Sequence, residues 1–131
     1  MKIVSRRTVA EDPDIPTRPG WEGMHLWWLV GRQSVGSEAA VVCSTDFPPM
    51  KAHSLHVHPD ADEVFVVLHG GGAHLTADGP VAVEEGDVVF IPRGEVHGFQ
   101  NDREQTCSAI AFYGGVGEYD EAGYVEPAAG G

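Results

Sequence analysis

The punctuation of this chain limits its fold more than any other feature. Short β-type runs follow one another: "MHLWWLV" (Met24–Val30), "EAAVVCSTDF" (Glu38–Phe47), "LHVH", "EVFVVLHG", "AHLTA", "VAVEEG", "DVVFIP", "EVHGFQ" and "TCSAIAFYGG". Gly, Pro, Asn or Asp stands at nearly every junction, as in "HGGG", "ADGP", "EEGD", "IPRG" and "QNDR". Those residues supply the backbone angles of tight turns, and no segment carries a sustained 3.6-residue apolar period with caps. An all-β chain of antiparallel strands, closed as a sandwich or barrel, is expected. The polar "GRQSVGS" suits a hairpin between the first two runs. "EDPDIPTRPG" (Glu11–Gly20) has too many prolines for a helix, so residues 1–20 are expected to be an N-terminal strand and a Pro-rich arm. The barrel is expected over 21–114. After Tyr113 the strand pattern stops, and residues 115–131 read as a tail or linker.

The 131 residues are one domain's worth. A net charge of −12 leaves no basic stripe for phosphates and no attraction to an anionic bilayer, so neither nucleic acid nor membrane is an expected partner. No apolar run is long enough to span a bilayer, and the N-terminus lacks the apolar core of a secretory signal, which makes the cytoplasm the expected location. Cys43 and Cys107 sit in apolar runs without CxxC spacing and are expected as reduced core thiols.

Chemistry concentrates in "HSLHVHPDADEVFVVLHG", His53–Gly70, which holds four of the seven histidines. Residues two apart on a strand share a face, so His56 and His58 present two imidazoles to one side. "PDAD" reads as a turn, and Glu63 opens the next strand. In "GDVVFIPRGEVHGFQN" a glycine turn is expected to open a buried strand, Pro-x-Gly to break it, and His97 to start the next. Three imidazoles and a carboxylate suit a borderline divalent metal. His53 differs in parity from His56 and His58 and is expected to face away, at the surface or pocket rim. His69 lies too far along its strand to ligate, and His25 and His74 read as ordinary sheet residues. Phe65, Val67, Phe90, Phe99 and Phe112 are expected to build apolar walls. The pocket-lining candidates are Trp28, Ser54, Phe65, Phe99 and Phe112. "GGG" (Gly70–Gly72) is a turn, since no phosphate-loop context surrounds it, and neither GxSxG nor HExxH is present.

These two stretches resemble the paired motifs of the cupin superfamily, HxH(x)4E(x)6G and G(x)5PxG(x)2H(x)3N. His56, His58, Glu63 and Gly70 match the first, and Gly86, Pro92, Gly94, His97 and Asn101 the second. The first motif usually opens on a turn glycine, where this chain has Met50. The resemblance implies a jelly-roll barrel (double-stranded β-helix), His56, His58, Glu63 and His97 as ligands, and often a homodimer. It implies one divalent transition metal, zinc before iron, manganese or nickel. A metal-dependent enzyme is expected, doing Lewis-acid or oxidative chemistry on a small organic molecule, as in the cyclases, isomerases and dioxygenases of secondary metabolism. Two alternatives stand beside it. One is a zinc-binding cupin domain of a hydrazine synthetase, cut from a methionyl-tRNA-synthetase-like partner, and suggested by the composition of "YVEPAAGG". The other is a ligand-binding cupin without catalysis.

Overall fold

The computed structural model describes residues 1–127; the last of the expected tail, 128–131, lies outside the described residues. Nine strands and two single-turn helices follow in the order β1 (His25–Val30), α1 (Arg32–Val35), β2 (Ala40–Phe47), β3 (Ala52–His56), β4 (Asp62–His69), β5 (Gly71–Thr76), β6 (Gly79–Glu84), β7 (Val88–Ile91), β8 (His97–Gln100), β9 (Cys107–Gly114) and α2 (Tyr119–Ala122). They form two sheets, β1-β2-β9-β4-β7 and β3-β8-β5-β6, with every pairing between these strands antiparallel. This is the all-β barrel expected from the sequence. α1 sits in the "GRQSVGS" connection of the β1–β2 pair. No helix among the described residues is long and apolar enough to cross a membrane.

Period-2 patterning explains which face each strand buries. In β9, Cys107, Ala109, Ala111 and Tyr113 point inward, and in β4 Glu63, Phe65 and Val67 do the same. The alanines keep the inner face of β9, the middle strand of the larger sheet, shallow. The interior is filled from the other strands, with Phe47 and Phe99 rings 4.5 Å apart and Phe65 and Phe99 5.3 Å apart. Cys43 and Cys107 are buried free thiols, as expected, and burial pushes Cys107 up to about 11.

Several expectations are corrected. Residues 1–20 hold no strand; Pro16 helps close a 3-10 turn, Ile15–Thr17, whose Ile15 is buried. The arm is latched where the Arg6 guanidinium donates both to Asp46 Oδ1 at 2.9 Å and to Oδ2 at 2.5 Å, over the Trp27 ring. β7 is not a buried strand, because it is the sheet edge and turns Val88 and Phe90 outward at 64% and 61% exposure. Phe90 therefore builds no interior wall. Phe112 is half-buried on the outer face, opposite in parity to Ala111 and Tyr113. Residues 116–125, expected as tail or linker, pack onto the barrel instead: Val116, Tyr119 and Ala122 are buried, and Val125 bridges to Val57 through two backbone hydrogen bonds.

The motif glycines Gly70, Gly86 and Gly94 all have left-handed φ, of 74°, 90° and 83°. Met50 keeps the same conformation at φ 66°, alone among the described non-glycine residues. A side chain there is strained by roughly 1–2 kcal/mol, offset in part by the lower chain entropy of a non-glycine residue. Met50 is 67% exposed, so its side chain contributes little packing. Met50→Gly is expected to raise stability by about 1 kcal/mol in denaturant unfolding, with Met50→Ala neutral.

Candidate metal centre

His56 ends β3, His97 opens β8, and the two are direct partners across that strand pair. Glu63 comes from β4 in the facing sheet. His58 lies just past β3, where the Val57–Val125 bridge keeps the chain extended and returns its imidazole to the side of His56. The four residues are 2–5% exposed, and one ligand atom from each lies within 4.8 Å of the other three. The structure thus brings together the four residues expected as ligands.

Each imidazole is oriented by a backbone carbonyl. His56 Nδ1 donates to Ser54 O at 2.7 Å, His58 Nδ1 to Gly123 O at 2.6 Å and His97 Nδ1 to Glu95 O at 2.9 Å. Holding the proton on Nδ1 leaves Nε2 as the electron-pair donor, the arrangement of metal-ligating histidines. The Nε2 atoms of His97 and His58 lie 3.2 and 3.5 Å from Glu63 Oε1, and His58 Nε2 has no hydrogen-bond partner. Burial and the His97 charge lower His56 to about 3. Burial also opposes ionisation of Glu63 and His97, but their mutual contact wins. Glu63 is held below its ordinary 4.5 and His97 above its ordinary 6.5. The cluster is therefore two neutral imidazoles, His56 and His58, beside a His97 whose proton is held by the pre-ionised Glu63 carboxylate and must leave before His97 can ligate. It can hold a metal ion, and the donor set fits a borderline divalent one.

His53 does not face away. Two residues, Ser54 and Leu55, oppose the single Gly98 between the pairs His53↔Phe99 and His56↔His97, and this bulge resets parity. A Cβ on Gly98 would meet His53 O at 2.7 Å, so only glycine admits the bulge. His53 is consequently buried, stacked on His56 at 4.0 Å with Trp21 4.1 Å away on its ring. The same bulge turns Ser54 out to solvent; it contributes its carbonyl to His56 and lines a separate open surface hollow with Pro19, Gly20, Glu22 and Leu55. Phe65 and Phe99 line the interior against His74, which burial lowers to about 4. Trp28 donates its indole N–H to Asp12 and, with Tyr119, lines an open cleft of about 580 Å³. His25 pairs with Glu11 and His69 with Glu85, both away from the cluster.

Sequence reasoning missed Trp21, Tyr119, Gly123 and Tyr124. Tyr124 lies flat on His56 with ring centroids 4.9 Å apart, and Tyr119 meets His58 edge-on at 5.4 Å. The aromatic residues of "EYDEAGYVEP" were the available signal, since a linker has no use for two tyrosines.

The family model of the cupin domain matches residues 44–113, just over half of the chain. An oxalate-binding protein of Thermotoga maritima is 27% identical over 84 residues, which are 64% of this chain and 69% of that protein. The structure of the polyketide cyclase RemF from Streptomyces resistomycificus superposes with a TM-score of 0.76 at 28% identity, over 87% of this chain and 79% of that one. A predicted oxalate decarboxylase from Thermotoga maritima superposes at 0.71 and 19% identity, over 88% and 100%.

Proposed function

We propose, for a chain that belongs to the cupin family, that His56, His58, Glu63 and His97 bind one divalent transition metal, zinc before iron, manganese or nickel. The protein is then a metal-dependent enzyme acting on a small organic molecule, with non-oxidative, cyclase-like chemistry on a carbonyl-rich substrate as the first reading. The observation that carries it is the set of three Nδ1–carbonyl hydrogen bonds, which aim three Nε2 atoms at one buried carboxylate. A bound divalent ion would supply Lewis acidity toward a carbonyl or enol oxygen. The chain's own residues do the rest. Glu63 offsets part of the ion's charge, the carbonyls of Ser54, Glu95 and Gly123 fix the imidazoles, and Trp21, Tyr119 and Tyr124 exclude water from that side. Similarity to RemF favours this reading over oxidation.

A second reading, ligand binding without catalysis, draws on the oxalate-binding relative. The hydrazine synthetase reading rests on the composition of "YVEPAAGG", of which residues 128–131 lie outside the described residues. Metal analysis of the purified protein, then loading with zinc or iron, tests the proposal. About one zinc per chain with no substrate-dependent O2 uptake is the expected result; iron with such uptake overturns the non-oxidative reading.

Uptake should depend on pH through His97. Its pKa is raised in the folded protein, so the His97–Glu63 ion pair stabilises the metal-free form below about pH 6.5 and is lost as pH rises through the raised value. Metal must displace that proton. Zinc affinity is expected to rise up to about tenfold per pH unit across this window and then level off, in chelator competition. A flat profile would contradict it.

A further inference from the structure

His56, His58, Glu63 and His97 are 2–5% exposed, so nothing reaches them unless part of the chain moves. Most of their surround is fixed by sheet hydrogen bonds. His56 and His97 face each other across the β3–β8 pair, and Glu63 stands on β4, laddered to β9 on one side and β7 on the other. Moving those strands leaves buried backbone groups without partners. Residues 115–125 are different. They follow β9, fold back over His56 and His58, and belong to neither sheet. Backbone bonds tie this strap down at separate points: Gly115 N–H to Ala39 O, Arg32 N–H to Gly117 O, Asp60 N–H to Ala122 O and the Val57–Val125 pair. Left-handed glycines, Gly115 at φ 87° and Gly123 at φ 77°, flank the part that carries Tyr119.

Tyr119 acts as a partition. Its ring lies 5.1 Å from Trp28 and 5.4 Å from His58, and Trp28 and Tyr119 both line the open cleft. The cleft thus ends on a ring whose other neighbour belongs to the centre. Arg32, from α1, reaches across to the strap, with Nη1 3.2 Å from Glu118 Oε1 and Nη2 2.6 Å from Glu121 Oε1. These three side chains are 37%, 40% and 43% exposed, so solvent screens the pairs and each is weak. A weak, exposed pair braces a fold poorly, yet it shifts a local opening equilibrium by its whole strength.

We propose that residues 115–125 are a gate: released from Arg32, the strap lifts, Tyr119 leaves its place beside His58, and the cleft opens onto the four-residue centre. The gate rests on the metal-centre reading for what passes through it. Lifting the strap also withdraws the Gly123 carbonyl from His58 Nδ1, 2.6 Å away when closed, so closure and full orientation of the imidazoles are one event.

Stopped-flow kinetics with zinc alone test the gate, following uptake by the metal-free protein and release to an excess of chromophoric chelator. Arg32→Gln and the double variant Glu118→Gln/Glu121→Gln are each expected to speed uptake and release about threefold with affinity unchanged, the order of effect of an exposed ion pair. The two variants change the local charge in opposite directions. A common acceleration therefore reports the latch, whereas opposite effects would show attraction for the ion alone and overturn the gate. Faster release with unchanged uptake, the mark of a weakened site, would overturn it as well. Arg103→Gln, which breaks an exposed pair with Glu84 elsewhere, should leave both rates as in wild type. Hydrogen exchange reads the strap without metal. The Val125 and Asp60 N–H groups should exchange at least about tenfold faster than those of β9, and faster still in Arg32→Gln. Exchange of strap and β9 at one rate would contradict the gate. The metal reading fails separately, if wild type takes up no zinc, and the exchange result then decides the gate by itself.

Discussion

His97→Ala is expected to leave a folded protein whose zinc affinity falls by more than about a hundredfold, since loss of a ligand exceeds the roughly 10–100-fold cost of losing a ligand's hydrogen-bond partner. His97 is the imidazole nearest Glu63, with Nε2 3.2 Å from Oε1. Removing it breaks the proposed ligand set and leaves His58, with Nε2 3.5 Å from Oε1, as the nearest imidazole to the buried carboxylate. The Glu63 pKa, now held down chiefly by His97, should rise. Glu63 contributes stability above its unfolded pKa and loses it as pH falls through the folded one, so the variant should unfold at higher pH during acid titration. Chelator competition reads the first effect and an acid melt the second. Wild-type zinc affinity in His97→Ala would remove the residue from the site.

Asn101→Ala should destabilise the chain by about 3 kcal/mol, lowering the melting temperature by roughly 10 °C. Asn101 is fully buried. Its Nδ2 donates to Phe47 O at 2.9 Å and Gln105 O at 2.7 Å, and its Oδ1 accepts from the Arg103 N–H at 3.0 Å. Alanine leaves those three backbone groups without their partner where water cannot easily replace it. The clamp joins the end of β2 to the β8–β9 connection, far from the ligands in bonding terms. Zinc stoichiometry at low temperature is therefore expected to persist. A loss below about 1 kcal/mol in denaturant unfolding would contradict the clamp.

The clustering of His56, His58, Glu63 and His97 was legible because its determinants are local. His56 and His58 are two apart, "PDAD" turns the chain, and Pro-x-Gly places His97 at a strand start. What escaped depends on contacts distant in sequence. The outward turn of Ser54 and the inward turn of His53 come from a bulge accommodated by Gly98, and nothing in "AHSLH" alone marks it. β7 reads as buried because "VVFI" is apolar, yet its place at a sheet edge exposes alternate residues. The C-terminal segment looked like a linker by its Gly, Ala and Pro content. The contacts that recruit it join positions 65 and 68 residues apart, the Gly123 carbonyl to His58 and the Val125 bridge to Val57. Met50 is the opposite case: the missing motif glycine was visible, and the backbone kept the glycine conformation regardless.

The central claim, that these four residues are one metal centre, is tested most directly by anomalous diffraction at the zinc edge from crystals of the zinc-loaded protein. The account predicts a single strong peak about 2.0–2.2 Å from the Nε2 atoms of His56, His58 and His97 and from a Glu63 oxygen. No peak there, or zinc held only by exposed pairs such as His69 and Glu85, would contradict it.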